Sequence, residues 1–233
     1  MNNMRINKFI SESGVCSRRE ADKWVEAGRV TINGRLAELG SQAEKEDMVC
    51  VDGEPIGVKK TSLYIAFNKP VGITCTTELH IAGNIIDFIG HKERIFPIGR
   101  LDKDSEGLIL LTNNGDIVNQ ILRAENNHDK EYIVTVNRVV TPQFLQGMAE
   151  GVPILNAVTQ PCEVSRISDY VFRIILTQGL NRQIRRMCAH FEFQVRKLQR
   201  VRIMNITLEG IQSGSWRELS ETELTQIYID IAE

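Results

Sequence analysis

Gly99-Arg100-Leu101-Asp102-Lys103-Asp104-Ser105-Glu106-Gly107-Leu108-Ile109-Leu110-Leu111-Thr112 places two carboxylates in a glycine-bounded loop that runs straight into a short apolar segment. A short apolar run bounded by turn residues reads as a buried strand, and a loop at its start holds side chains at the rim of a rigid sheet. Flanking Arg100 and Lys103 favour the ionised form of a nearby acid. By local chemistry alone an acid-rich turn is most often only a turn, and nothing nearby chooses between Asp102 and Asp104.

Further strand-like runs follow the same pattern at 63–67, 108–112, 132–136, Val171–Leu176 and 201–206. Helical spacing appears at Ile85–Ile89, at Asp116–Leu122, at Pro142–Glu150 behind Thr141 as cap with proline in the first position, and at 182–190. This irregular order predicts an α+β domain with a mixed or antiparallel sheet, because a βαβ repeat would alternate strictly.

The first fifty residues have a different texture. Ile6, Phe9 and Ile10 form one face of a short helix before Gly14; Ser17 and Glu20 make a Ser-x-x-Glu start for a second, with Ala21, Trp24 and Val25 apolar and Gly28 as stop. Asn33-Gly34 and Asp52-Gly53 carry the chemistry of tight hairpin turns. Polarity rises over 54–62, with Pro55, Gly57, Lys59 and Lys60, and the apolar pattern restarts at Leu63. The expected division is a head at 1–55, a linker at 56–62 and a larger domain at 63–233.

Hydrophobic residues make up 42% of the chain and charged residues 25%, as in an ordinary globular protein. No apolar run is long enough for a bilayer, and the first residues lack a signal-peptide core, so a cytoplasmic protein with no membrane partner is expected. Five scattered cysteines without a Cys-x-x-Cys pair and four histidines point to reduced thiols and to no metal. The net charge of −2 hides a segregation. Between positions 182 and 202 stand Arg182, Arg185, Arg186, Arg196, Lys197, Arg200 and Arg202 against Glu192, whereas Glu209, Glu218, Glu221, Glu223, Asp230 and Glu233 dominate the end. Such a stripe is commonly a solvated face and otherwise a nucleic-acid footprint. Arg5 and Lys8 on the first helix, Arg18, Arg19 and Lys23 on the second, and Arg29 beside the hairpin suit phosphate contacts equally well.

Three segments of the head, Arg5-Ile6-Asn7-Lys8-Phe9-Ile10, Cys16-Ser17-Arg18-Arg19-Glu20-Ala21, and Gly28-Arg29-Val30 with Ile32-Asn33-Gly34, resemble the S4 RNA-binding domain. The resemblance implies RNA contacts from Arg18, Arg19, Lys23 and Arg29, and names a partner class without a chemistry. In the larger domain Gly-Arg-Leu-Asp-x-Asp-Ser-x-Gly-Leu at 99–108 resembles the signature of the RsuA-type pseudouridine synthases. Asn68-Lys69-Pro70-x-Gly72, Lys130-Glu131-Tyr132, Gly179-Leu180-Asn181-Arg182-Gln183-Ile184-Arg185-Arg186-Met187 and Leu198-x-Arg200 agree with that family in order. Phe96-Pro97-Ile98-Gly99 and the Lys130-Glu131-Tyr132 variant narrow the resemblance to the F-type large-subunit branch.

That resemblance implies an enzyme that isomerises a flipped-out uridine of ribosomal RNA, of the large subunit first and with tRNA as a further substrate. A small-subunit synthase and a non-catalytic S4-type ribosome-assembly protein are the alternatives. It implies Asp102 as nucleophile, Tyr132 as the ring that stacks on the target base, Arg185 as the partner of Asp102 and Leu198 as an apolar wall. Arg100, Arg182, Arg186 and Arg200 are left for phosphates. No cofactor is expected, since a carboxylate can add to the anomeric carbon or to the base and leave again, and a monomer is expected. Some F-type relatives continue into a long basic tail, so RNA affinity from such a tail is expected to be missing.

Overall fold

The computed structural model describes residues 3–57, 61–122 and 128–232, and the chain forms two compact units. The first comprises Met1–Leu63 with Lys92–Arg94 and Asn113–Gly115; the second comprises Tyr64–His91, Ile95–Thr112 and Asp116–Glu233. The two short excursions into the first unit are invisible in the hydrophobic pattern. One is secured by Asn113, whose Oδ1 accepts from the Leu63 amide at 2.8 Å and whose Nδ2 donates to the Thr61 carbonyl at 3.2 Å.

In the first unit, helices Ile6–Glu12 and Arg18–Glu26 pack on Val30, Val49 and Val51 through Ile6, Phe9, Ile10, Ala21 and Val25. Arg5 lies outside the first helix. Its extended backbone pairs Met4–Arg5 with Gln42–Ala43 and so caps the helix. Ser17 Oγ accepts from the Glu20 amide at 3.2 Å, but the Glu20 carboxylate turns to Lys23 at 3.1 Å, so only half of a capping box forms. A four-stranded antiparallel sheet runs in the order Arg35–Leu36, Val30–Ile32, Val49–Val51, Glu54–Ile56. Both tight turns have two successive positive φ angles, 49° and 80° at Asn33-Gly34, 52° and 84° at Asp52-Gly53, as primed hairpin turns require. The polar stretch at 54–62 therefore begins with an edge strand, where Pro55 is tolerated because no outer neighbour needs its missing N–H. Lys59 and Lys60 lie outside the described residues.

The second unit is a mixed sheet with helices against it. Its strand order is Glu163–Ser168, Val171–Leu176, Lys130–Val136, Val195–Ile203, Glu106–Thr112, Tyr64–Lys69, Trp216–Glu218. Neighbours are antiparallel except at one seam, where Gln199 and Arg200 run parallel to Glu106 and Gly107. Ile206–Thr207 adds to Val195–Ile203, and Phe96–Ile98 to Glu106–Thr112. One core gathers Val134, Phe144, Met148, Phe172, Ile174, Met187 and Leu198. A second gathers Tyr64, Ala66, Leu108, Leu110, Ile117, Ile203 and Ile227.

Two departures from the sequence pattern matter for the site. The strand expected at 201–206 begins at Val195, so much of the basic stripe is strand and not helix surface. Arginines and lysines on its outer face mask the alternation, which survives only at Leu198, Arg200 and Ile203. The helix expected at 182–190 is Gln183–His190, because Arg182 adopts a left-handed backbone with φ of 50°. Strands Glu163–Ser168, Phe96–Ile98 and Trp216–Glu218 and helix Glu221–Asp230 go unread in the sequence. The last was legible from Ser220-x-x-Glu223, which forms a complete capping box. No helix among the described residues is long and apolar enough to cross a membrane.

Candidate active site

The 99–105 loop is stitched down on several sides before it enters the sheet. The Gly72 amide donates to the Lys103 carbonyl at 2.7 Å, the Ser105 amide to the Asp102 carbonyl at 3.1 Å, and the Leu101 amide meets Cys75 Sγ at 3.5 Å. Leu101 and Ser105 are buried, which leaves Asp102 between them half-buried and pinned on both sides. Gly107 makes the seam possible. Its φ is +106°, and a Cβ there would lie 2.2 Å from the Arg200 carbonyl oxygen. Only a glycine permits the two parallel strands to approach this closely beside the loop.

Two arginines converge on this loop. Arg182 Nη1 lies 3.3 Å from Asp102 Oδ2, while its two terminal nitrogens donate to the two oxygens of Asp104 at 3.0 and 3.1 Å. Arg185 Nη2 donates to the Asp104 carbonyl at 2.8 Å and to Ser105 Oγ at 3.1 Å, and lies 3.4 Å from the Asp104 carboxylate. Among the described residues the guanidinium within ion-pair distance of Asp102 is thus Arg182. Arg185, expected in that place, grips the loop two and three residues further on. Arg182 stands in a left-handed backbone immediately ahead of the helix. The Asp104 carboxyl is held below the ordinary range, chiefly by its hydrogen bonds from Arg182 and further by Arg185.

A cleft of 940 Å³ opens beside Asp102, and its lining includes Arg100, Lys130, Tyr132, Arg182, Leu198 and Arg200. Tyr132 and Leu198 come from adjacent strands, with the Arg200 guanidinium 6.0 Å from the Tyr132 ring centroid. The cleft therefore unites Asp102, Tyr132 and Leu198, as the motifs imply, with Arg185 behind the loop.

The cations assigned to phosphates divide. Arg100, Arg182 and Arg186 are exposed, although Arg186 bonds to the Asn181 carbonyl at 3.0 Å and to its Oδ1 at 3.1 Å. Arg200 is not a surface contact. It is 5% exposed and its Nε donates to the Leu108 carbonyl at 2.7 Å, because alternation along Val195–Ile203 turns it inward with Leu198. In the first unit Arg5, Arg18, Arg19 and Lys23 are exposed, Lys8 pairs with Glu12 at 3.4 Å, and Arg29 is held by Asp52 and lies 4.8 Å over Trp24. Two buried lysines had no assigned role: Lys69 is fully buried and Lys130 is 6% exposed. Lys130 stands two residues before Tyr132 on one strand, a spacing that places both on the same face. No group of three or more His, Cys, Asp or Glu side chains among the described residues is placed to hold a metal ion.

The family model for RNA pseudouridylate synthase matches residues 63–190, and that for the S4 domain matches residues 4–49. The dual-specificity RNA pseudouridine synthase RluF of Escherichia coli K12 is 55% identical over 227 residues, covering 97% of this chain and 78% of that protein. Ribosomal large subunit pseudouridine synthase B of Bacillus subtilis is 30% identical, covering 96% of this chain and 95% of that protein. A crystal structure of a pseudouridylate synthase superposes with a TM-score of 0.70 at 28% identity, over 96% of this chain and 99% of the other. With the acidic loop, the aromatic floor and these likenesses together, the chain belongs to the RNA pseudouridine synthase family and is an isomerase of uridine in RNA, carrying an S4 RNA-binding domain at its N-terminus.

Proposed function

We propose that the substrate is structured ribosomal RNA of the large subunit, with tRNA as a second substrate, and that Asp102 is the nucleophile. The carrying observation is that Asp102 lies half-buried at the edge of a cleft floored by Tyr132 and Leu198, with the Arg182 guanidinium 3.3 Å from its Oδ2. The substrate reading is supported by the 55% identity to a protein named as dual-specific and by the resemblance to a large-subunit enzyme. A purely structural assembly factor would need the S4 head but not this cleft. The head at 1–55 and the catalytic part at 63–233 then divide the work, and the protein acts as a cytoplasmic monomer.

The target uridine is turned out of its helix at a cost of roughly a few kcal/mol, which phosphate contacts from Arg100, Arg186 and the head offset. Tyr132 stacks on the base and Leu198 closes the apolar side. The Asp102 carboxylate, faced by the Arg182 guanidinium and aimed by the loop that Arg185 grips, adds to the substrate while the bond from the sugar to the base nitrogen breaks. The base turns and rejoins through carbon. Primer-extension mapping after carbodiimide treatment, on RNA from cells with the wild-type gene, without it, or with Asp102→Asn, tests this reading. One stop in large-subunit RNA should vanish in both altered strains. A stop that persists with Asp102→Asn, or one that maps to small-subunit RNA, overturns the corresponding part.

A further inference from the structure

One face of three neighbouring strands forms the cleft floor. Lys130 and Tyr132 come from the middle strand, Leu198 and Arg200 from one side and Leu176 from the other. The register between the first two strands slips between Glu131 and Tyr132, and this irregularity sets Tyr132 directly opposite Arg200. Two cations therefore lie within a floor that is otherwise aromatic and aliphatic, 6% and 5% exposed.

Neither cation is paired with an acid among the described residues. Lys130 Nζ donates to two backbone carbonyls, of His128 at 2.7 Å and Thr177 at 3.1 Å, which leaves one of its three N–H groups unused. Arg200 spends Nε on the Leu108 carbonyl, and its buried Nη2 has no hydrogen-bond partner among the described residues. Asp129 acts on Lys130 only through space. Buried charges are ordinarily paired, since taking them from water is costly. Here two like charges share a floor, and burial, followed by the field of Arg200, pushes the Lys130 ammonium down to about 8. These backbone hydrogen bonds offset only part of the cost of burying two like charges side by side.

The reaction supplies a reason to keep the pair. When C1′–N1 breaks, its electron pair leaves on N1 and spreads to O2 and O4 of the base, while a carboxylate oxygen of Asp102 bonds to C1′. If the carboxylate adds first to C6, the C5=C6 electrons move through C4 onto O4. Rejoining forms C1′–C5 and releases the carboxylate, C5 gives up its proton, and N1 takes one. In either order the base passes through an anion. Fixed positive charge in a site shielded from water stabilises such a species far more than water-exposed charge does.

We propose that Lys130 and Arg200 form a cationic floor that holds the anionic uracil through its oxygens while it is detached or activated. This rests on the reading of Asp102 given above. Lys130 and Arg200 then contribute to chemistry and not to RNA affinity.

The test uses the full chain and single-turnover rates at saturating RNA, with uridine or 5-fluorouridine at the target position. Loss of that nucleoside after nuclease digestion reports cleavage whatever becomes of the base. Fluorine makes the base more acidic, so its anion needs less help. Lys130→Met should cleave uridine at least ~100-fold more slowly with an unchanged dissociation constant, and show a defect of only about 10-fold on 5-fluorouridine. Lys130→Arg should recover most of the loss, and Arg200→Lys should share the fluorine-dependent pattern. Equal defects on both bases would mark a merely structural role and overturn the proposal, as would wild-type rates in Lys130→Met. Near-UV circular dichroism verifies folding, and if Arg200→Lys does not fold, the two Lys130 variants decide alone. Asp102→Asn runs beside them. An active Asp102→Asn sinks the nucleophile reading, whereas an inactive one beside a fully active Lys130→Met sinks only the cationic floor.

Discussion

At the scale of single residues, the loop separates two aspartates that look alike in sequence. Asp104 is bound through both oxygens by Arg182, whereas Asp102 touches the same guanidinium at one edge and faces the cleft. Asp102→Asn keeps the shape and loses the proposed nucleophile, so on that proposal single-turnover rate should fall by at least ~10⁴ with RNA binding nearly intact. Asp104→Asn should cost far less, because Arg182 can then move wholly onto Asp102. The arginines on helix Gln183–His190 should also part company. Arg185→Gln frees the loop from its grip on the Asp104 carbonyl and Ser105 Oγ, and should slow the chemical step at saturating RNA. Arg186→Gln should weaken binding and leave that step alone. Equal single-turnover rates in the two variants would remove Arg185 from the positioning of the loop.

Among elements, the parallel seam and the last helix carry the sharpest expectations. Gly107→Ala forces a Cβ to within 2.2 Å of the Arg200 carbonyl at a φ of +106°. A loss of at least ~3 kcal/mol, read from urea unfolding, is expected, since both strain and a broken approach contribute. The helix Glu221–Asp230 is capped by Ser220 and Glu223, whose carboxylate accepts from the Ser220 amide at 2.8 Å and from both terminal nitrogens of Arg217 at 2.7 Å. Hydrogen bonds from Arg217 are the main reason its carboxyl falls from 4.5 to about 2. A depressed carboxyl stabilises the fold above its unfolded value and loses that contribution as pH falls toward the folded one. The loss should therefore develop between roughly pH 4.5 and 2. Glu223→Gln should cost about 1–2 kcal/mol at neutral pH, after allowance for solvent screening, and should flatten that acid loss. Thermal melts of both proteins from pH 7 down to pH 2 check the sign and the window.

At the scale of the whole molecule, a chain with net charge −2 binds RNA through placement and not through excess. Arg18, Arg19 and Lys23 project from the second helix of the head, whereas Arg29 is committed to Asp52 and Trp24. Replacing the first three with Gln should lower the slope of log affinity against log salt by about 2–3, at nearly 0.9 per lost duplex phosphate contact. The single-turnover rate at saturation should persist. Arg29→Gln should instead lower the melting temperature of the head more than the affinity. An unchanged salt slope in the triple variant would mean that this helix does not meet RNA.

The sequence by itself determined the class and much of the site. Hairpin dipeptides, helix caps and apolar runs marked the two-helix head and the strands around 64–69, 106–112, 130–136 and 171–176, because local backbone chemistry governs those features. The acidic signature and Tyr132 were legible only as words resembling a family's motifs, since local chemistry left Asp102 and Asp104 undivided. What only the tertiary structure decided lies where distant strands meet. The start of Val195–Ile203 was hidden because its charges obey solvent on one face while Leu198 and Arg200 obey the core on the other. The partner of Asp102 was equally hidden, since Arg182 and Arg185 are equivalent in the sequence and only their placement against the distant loop sets Arg182 within 3.3 Å of Asp102. Lys130 and Arg200 belong to segments seventy residues apart, and their shared burial is a property of sheet register. Register is set by long-range pairing and packing, which no local window of sequence contains.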